Sequence, residues 1–321
     1  YWAYEANKYK LPGIIQDWHD PVQPNRAVAW QQGPAAAPAS PLGNKRPPNI
    51  ILIVADDLGF NDISFNGGGV AGGIVKTPNI DAIAREGINF TTAYAANATC
   101  SPSRAAMMTG RYPTRFGFEY TAVPVAFAES VSHGEGLGPH KAVFHKDLIT
   151  SDIPDYPDMG VPAKEVTIAE AVKAAGYHTL HIGKWHLGEA PALQPHAQGF
   201  DESLAVLGGA AMFLPEDDAD AVNAKLPWDR IDHFIWANLR HAVTFNGSKR
   251  FHPKGHMTDY FADQAITAIE ANRNRPFFLY LAFNAPHTPL QATKEDYAKL
   301  PQIKDHKTRV YGAMIAQLDR R

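Results

Sequence analysis

Residues 50–55 read Ile-Ile-Leu-Ile-Val-Ala, six apolar positions in a row with no polar residue at alternate places. A strand with one wet face alternates, so an unbroken apolar run predicts a strand covered on both faces, as in a parallel sheet. Parallel strands cannot be joined by tight hairpins and need crossover connections, usually helices. The sequence supplies them. Thr77-Pro78 opens a helical pattern with Ile80, Ile83 and Ala84 on one face, stopped at Gly87. Thr167 and Glu170 are spaced as a capping box ahead of Ala171, Val172 and Ala175, with a stop at Gly176. Tyr177 to Ile182 then reads as a strand, Asp259 opens a further helix through Ala265 and Ile269, and Phe277 to Ala282 is a second unbroken apolar strand. Strand, helix, strand in repetition predicts right-handed βαβ units: an α/β fold with a mainly parallel central sheet and helices on both faces.

The folded body is expected to run from 49 to 321, preceded by an extended leader or linker over residues 1–48 that is rich in Pro and Ala near its end. Two stretches near 117–165 and 207–257, rich in Pro, Gly, His and acidic residues, interrupt the alternation and are expected to be substrate-selecting insertions. The chain starts at Tyr1 and stops at Arg321 in a helical pattern without a stop signal, so it reads as the N-terminal part of a longer protein. Lys and Arg total 30 against 33 Asp and Glu, a net charge of −3, which gives no electrostatic footprint for nucleic acid. No apolar run is long enough to span a bilayer. One cysteine, Cys100, excludes an internal disulfide framework.

In open α/β sheets ligands gather beyond the carboxyl ends of the strands. Three groups fall there: Asp56-Asp57 after the first strand, Lys184-Trp185-His186 after the middle one, and Pro286-His287 after the late one. Two carboxylates, a lysine and two imidazoles on one rim suit a hard cation and a bound anion. Each also has a plainer reading, as a turn or helix cap, a packed lysine stem, or solvated histidines. Lys184 and His186 are expected on a loop at the sheet edge, outside the core. His133, His140 and His145 read as loop residues.

Residues 100–111 read Cys-Ser-Pro-Ser-Arg-Ala-Ala-Met-Met-Thr-Gly-Arg. Locally this is a helix start, with Pro102 near the first helical position, Ser101 or Cys100 as cap and Gly110 as stop. Cys100 then lies at a helix N-terminus, where backbone N–H groups and the dipole favour an anion. The plainer reading of a single cysteine there is a small buried hydrophobe, and a second is a redox-active thiol.

Cys-x-Pro-Ser-Arg followed by Thr-Gly-Arg resembles the signature of the type I, formylglycine-dependent sulfatases, arylsulfatase-like members of the alkaline phosphatase superfamily. Four specified residues recur by chance about once in 10^5 positions. Asp56-Asp57, Gly-Lys-Trp-His-Leu-Gly at 183–188 and Ala-Pro-His-Thr-Pro at 285–289 occur in the family's order. The resemblance covers residues 49–321. It implies that a separate formylglycine-generating maturation enzyme oxidises Cys100 to an aldehyde whose hydrate attacks sulfur, and that the second hydroxyl then drives release of sulfate. Asp56, Asp57 and the modified Cys100 are implied as ligands of one divalent cation, Ca²⁺. Arg104 is implied to hold the diol and the carboxylates, Lys184 to neutralise sulfate oxygens, His186 to act as base in the breakdown step, and His287 to contact sulfate near the leaving oxygen. The implied reaction is hydrolysis of a sulfated small molecule or glycan, in a periplasmic or secreted setting. The family's remaining metal ligands and its later lysine are expected beyond residue 321, so the 321-residue chain by itself is expected to be inactive. A phosphonate or phosphate ester hydrolase of the same superfamily, and a non-catalytic sulfoglycan-binding homologue, remain alternatives.

Overall fold

The computed structural model describes residues 8–36, 46–132, 143–149 and 153–321. In chain order the main elements are α1 (Leu11–His19), β1 (Ile50–Asp56), α2 (Pro78–Glu86), α3 (Cys100–Thr109), α4 (Val125–Ser132), α5 (Ile168–Ala174), β2 (His178–Lys184), β3 (Glu202–Val206), β4 (Ala221–Ala224), α6 (Arg230–Asn238), β5 (Thr244–Phe245), α7 (Met257–Asn272), β6 (Phe277–Pro286), β7 (Leu290–Thr293) and α8 (His306–Arg320).

The central sheet has strand order β1-β6-β2-β3-β5. The first four strands are parallel and β5 runs antiparallel to β3. Two apolar clusters lie on its two faces. One joins Leu279 and Leu281 of β6 to Phe261 and Ala265 of α7 and to Val310 and Met314 of α8. The other joins Phe278 and Tyr280 of β6 to Ala105 and Met108 of α3, Ala169 of α5, and Trp185 and Phe200. Strand alternation produces this division: odd residues of β6 face one helical layer and even residues the other. The fold is therefore α/β with helices on both faces of a mainly parallel sheet.

The founding strand departs from expectation. β1 is the edge of the sheet, and Ile51 and Ile53 are exposed at 46% and 55%, while Ile50, Leu52 and Val54 turn toward the second cluster. The cause is placement: α7 lies over β6 and β2, α8 over β6 and β7, so neither covers that face of β1. Pairing with β6 runs in register from Ile50↔Phe278 to Ala55↔Phe283, then jumps to Asp56↔Pro286. Asn284 and Ala285 thus bulge beside the Ala55–Asp56 step.

Helix ends follow local chemistry. Thr167 accepts from the Glu170 N–H and Glu170 returns a carboxylate to the Thr167 N–H, the expected capping box. α7 starts two residues before Asp259, capped by His256, whose ring accepts from the Thr258 N–H. The start of α2 is capped from 240 residues away: Asp319 of α8 accepts from the Asn79 and Ile80 N–H groups at 3.0 and 2.8 Å.

Described residues within the stretches expected as leader and insertions form regular elements and core contacts. α1 packs on α6, with Asp17 accepting from Arg240 at 2.6 Å and Asn238 Oδ1 from the Gly13 N–H at 2.7 Å. Trp30 is buried in the main core, its indole N–H donating to Gln264 at 3.0 Å; an indole of that area is not left in water by an otherwise extended segment. α4 and α6, one from each insertion, meet through Phe127 and Phe234, edge to face at 5.1 Å. β4 pairs antiparallel with β7.

Candidate active site

The carboxyl ends of β1, β2 and β6 bring Asp56, Lys184 and, just beyond the strand, His287 to one rim. The N-terminus of α3 faces them. Thr99 occupies the cap position with extended backbone and Cys100 is the first helical residue, so the cap falls one residue before Cys100, the nearer of the two expected caps. Ser101 instead turns its hydroxyl to the Ala122 N–H at 3.2 Å. Gly110 closes the helix with φ 65°, the left-handed conformation its missing Cβ allows.

Asp56 is the electrostatic centre. Its Oδ1 accepts from Arg104 Nη2 at 2.9 Å and its Oδ2 from Lys184 Nζ at 2.5 Å. Burial alone would raise its carboxyl pKa, but Lys184 and Arg104 outweigh that and hold it well below the usual carboxylate range. Arg104 is oriented further by the Tyr280 hydroxyl at 3.1 Å and the Lys184 carbonyl at 2.9 Å. Arg104 and Lys184 thus flank the same carboxylate with two fixed cations.

Lys184 is fully buried and His186 only 4% exposed, with Trp185 buried between them. They belong to the end of β2 and the tightly packed turn after it, which corrects the expectation of a loop outside the core; the Asp56 pair and the Trp185 side chain pull the segment inward. His186 and Asp57 both have left-handed backbone, φ 58° and 61°, uncommon for residues with a Cβ and concentrated at functional positions.

His186 Nε2 lies 2.9 Å from the Ala122 carbonyl oxygen, which can only accept, so Nε2 carries the proton. Burial lowers the imidazole pKa and favours the neutral ring, so Nδ1 is a lone-pair acceptor, buried and without a hydrogen-bond partner. Cys100 sits beside it. Burial would raise the thiol pKa, but its neighbours, among them the His287 ring and the Lys184 charge, bring it down to about 4. His287 Nε2 also approaches Asp57 Oδ2 at 3.4 Å.

The donor set fits a hard divalent cation in part. Asp57 is held above its usual pKa, first by burial and then by the like charge of Asp56 and Cys100, a crowding of negative groups that a cation relieves. Among the described residues no three His, Cys, Asp or Glu side chains form a ready metal cluster. Asp56 and Asp57 thus offer only part of the six or more oxygen ligands Ca²⁺ takes.

All seven residues singled out in the sequence converge here. His145 is exposed, 60% at its side chain, as a loop residue should be; His133 and His140 lie outside the described residues. Sequence reasoning missed Tyr280 and Ala122. The first had a signal, since a tyrosine within a buried strand must find a partner for its hydroxyl. Ala122 acts through its backbone and left none.

A family model, Sulfatase, matches residues 48–320. The chain belongs to the sulfatase family. N-acetylgalactosamine-6-sulfatase of Mus musculus is 32% identical over 257 residues, 79% of this chain and 42% of that protein. Steryl-sulfatase of Mus musculus is 32% identical over 305 residues, 78% of this chain and 44% of that protein. Among solved structures, Ps i-CgsB in complex with k-i-k-neocarrahexaose superposes with TM-score 0.63 at 34% identity, covering 85% of this chain and 52% of that one. The chain spans less than half the length of these two curated relatives. Membership places it among the type I sulfatases of the alkaline phosphatase superfamily, in which a metal ion and a formylglycine are the general rule.

Proposed function

We propose that the protein hydrolyses sulfate monoesters of carbohydrates, with Cys100, oxidised to formylglycine by a maturation enzyme, carrying the nucleophile. The observation behind this reading is the meeting of the one cysteine of the chain, at a helix N-terminus, with a lone-pair imidazole and two fixed cations. A sulfoglycan binder needs the basic groups but not the cysteine. The carbohydrate class follows the relatives named for N-acetylgalactosamine-6-sulfate and the neighbour solved with a neocarrahexaose.

When bound, the cation and the hydrated aldehyde supply charge neutralisation and a nucleophilic oxygen at position 100. Asp56 and Asp57 would hold that cation, Ca²⁺ in this reading. Arg104 keeps Asp56 ionised and fixed in place. Lys184 and the α3 N-terminus offset the charge of the sulfate oxygens, the kind of preorganised charge stabilisation that contributes most of the rate enhancement in many enzymes. His186 Nδ1 takes a proton at the Cys100 position, because Nε2 is committed to Ala122. His287, between Cys100 and Asp57, stands where a leaving oxygen would need a donor. Action outside the cytoplasm is part of the same reading.

The test is turnover of an aryl sulfate and a sulfated oligosaccharide by protein produced with a maturation enzyme. Cys100→Ala should abolish both. Faster turnover of a phosphate diester than of any sulfate would move the assignment to the phosphate and phosphonate ester hydrolases.

A further inference from the structure

Three segments far apart in sequence are laced around His186. The turn at 156–161, from the first insertion, accepts the Glu189 and Ala190 N–H groups on the Pro157 carbonyl at 2.8 Å and returns the Val161 N–H to Leu187 at 3.2 Å. On the other side, the His186 N–H donates to the Leu207 carbonyl at 3.0 Å. The two glycines that follow Leu207 pass so close to neighbouring side chains that a Cβ on either would have to displace one of them. A Cβ on Gly209 would lie 2.8 Å from Cε1 and 2.9 Å from Nε2 of the His186 ring. A Cβ on Gly208 would lie 2.9 Å from a Glu189 carboxylate oxygen and 3.1 Å from the Tyr156 hydroxyl. The Tyr156 hydroxyl and the half-buried Glu189 carboxylate stand together against this strap, close enough to interact with each other, and the Gly209 N–H faces the phenol oxygen.

We propose that Tyr156 and Glu189 are positioning residues: they pin the Gly208–Gly209 strap, and the strap is the wall that fixes the plane of the His186 ring. Neither residue reaches the reacting atoms. Their effect passes through Gly209, which faces the ring at the Cε1 edge between its two nitrogens. Displacing that wall loosens the Nε2–Ala122 bond and turns Nδ1 away from Cys100. The catalytic consequence rests on the function proposed above; the placement of the ring does not.

The test compares Gly209→Ala, Tyr156→Phe and Glu189→Gln with the parent protein. Long-range ¹H–¹⁵N spectra of histidine-labelled protein report the His186 tautomer, its signal identified by loss in His186→Gln. The parent should show a single Nε2–H form. Gly209→Ala and Tyr156→Phe should lose it or mix it, and Glu189→Gln, which keeps an acceptor for the phenol, should retain it. In matured protein, kcat on an aryl sulfate should fall about 10-fold or more in the first two variants with KM held, the usual cost of a small misplacement. A parent-like imidazole signature in folded Tyr156→Phe overturns the proposal, and that variant decides if Gly209→Ala does not fold. A parent protein without sulfatase turnover overturns the functional reading alone, because the spectra still decide the lock.

Discussion

Replacing Lys184 with alanine should damage stability as well as turnover, and the structure sets the size of the damage. The ammonium is fully buried and 2.5 Å from Asp56 Oδ2. Removing one partner of a buried pair costs about 3–5 kcal/mol, because the other charge is left behind. Asp56 keeps Arg104 at 2.9 Å, so the lower end, about 3 kcal/mol, applies. In a chain of this size each kcal/mol moves Tm by about 2 °C, giving a drop of about 6 °C. Lys184→Met, which fills the same space, should fall about as far, since the loss is electrostatic. Lys184→Met combined with Asp56→Asn should recover part of it. Calorimetry or thermal fluorescence on purified variants measures this directly. Turnover of Lys184→Ala should drop about 10²-fold. A Tm within about 1 °C of the parent would refute the buried-pair argument and return Lys184 to a solvated rim.

The same carboxylate predicts an acid dependence. Asp56 has a lower pKa folded than unfolded, so its contribution is complete above the ordinary carboxylate value of about 3.9 and is lost as pH falls below it; Asp56→Asn should flatten the acid side of a stability-versus-pH curve. In protein made without a maturation enzyme, Cys100 should react with iodoacetamide at pH 6, where its pKa of about 4 leaves it ionised and an ordinary thiol near 8.5 is almost wholly protonated. Tyr280→Phe should lower turnover with little change in Tm, because it frees only one of the hydrogen bonds that orient Arg104. Asp319→Ala should lose the cap on α2, costing about 1–2 kcal/mol in thermal unfolding while leaving activity in place.

The fold class and the grouping of Asp56, Lys184 and His287 were legible in the sequence for one physical reason, that strand ends in a parallel sheet converge; Cys100 and Arg104 were singled out by the resemblance of their segment to the sulfatase signature. What the sequence did not carry was coverage. Residues 50–55 look buried on both faces, yet Ile51 and Ile53 are exposed, because an apolar run reports strand propensity and not which helix lies over it. Lys184 and His186 looked like loop residues because hydrophilic side chains signal solvent. The burial of Lys184 depends on Asp56, 128 residues away, and that of His186 on the Ala122 and Leu207 carbonyls. Short or polar elements such as β3, β4 and α6 lacked a periodic signature and appear only through pairing with distant partners. The Asp319 cap and the Gly208–Gly209 strap are likewise contacts between remote segments, invisible to any local window.

Peptide mass spectrometry at position 100 is the most direct measurement, made on protein co-produced with a maturation enzyme and active on an aryl sulfate. The tryptic peptide carrying residue 100 should have the mass of an aldehyde in place of the thiol, and the fraction converted should track turnover across preparations. An unmodified cysteine, fully alkylatable in a preparation that still hydrolyses sulfate esters at undiminished rate, would contradict it.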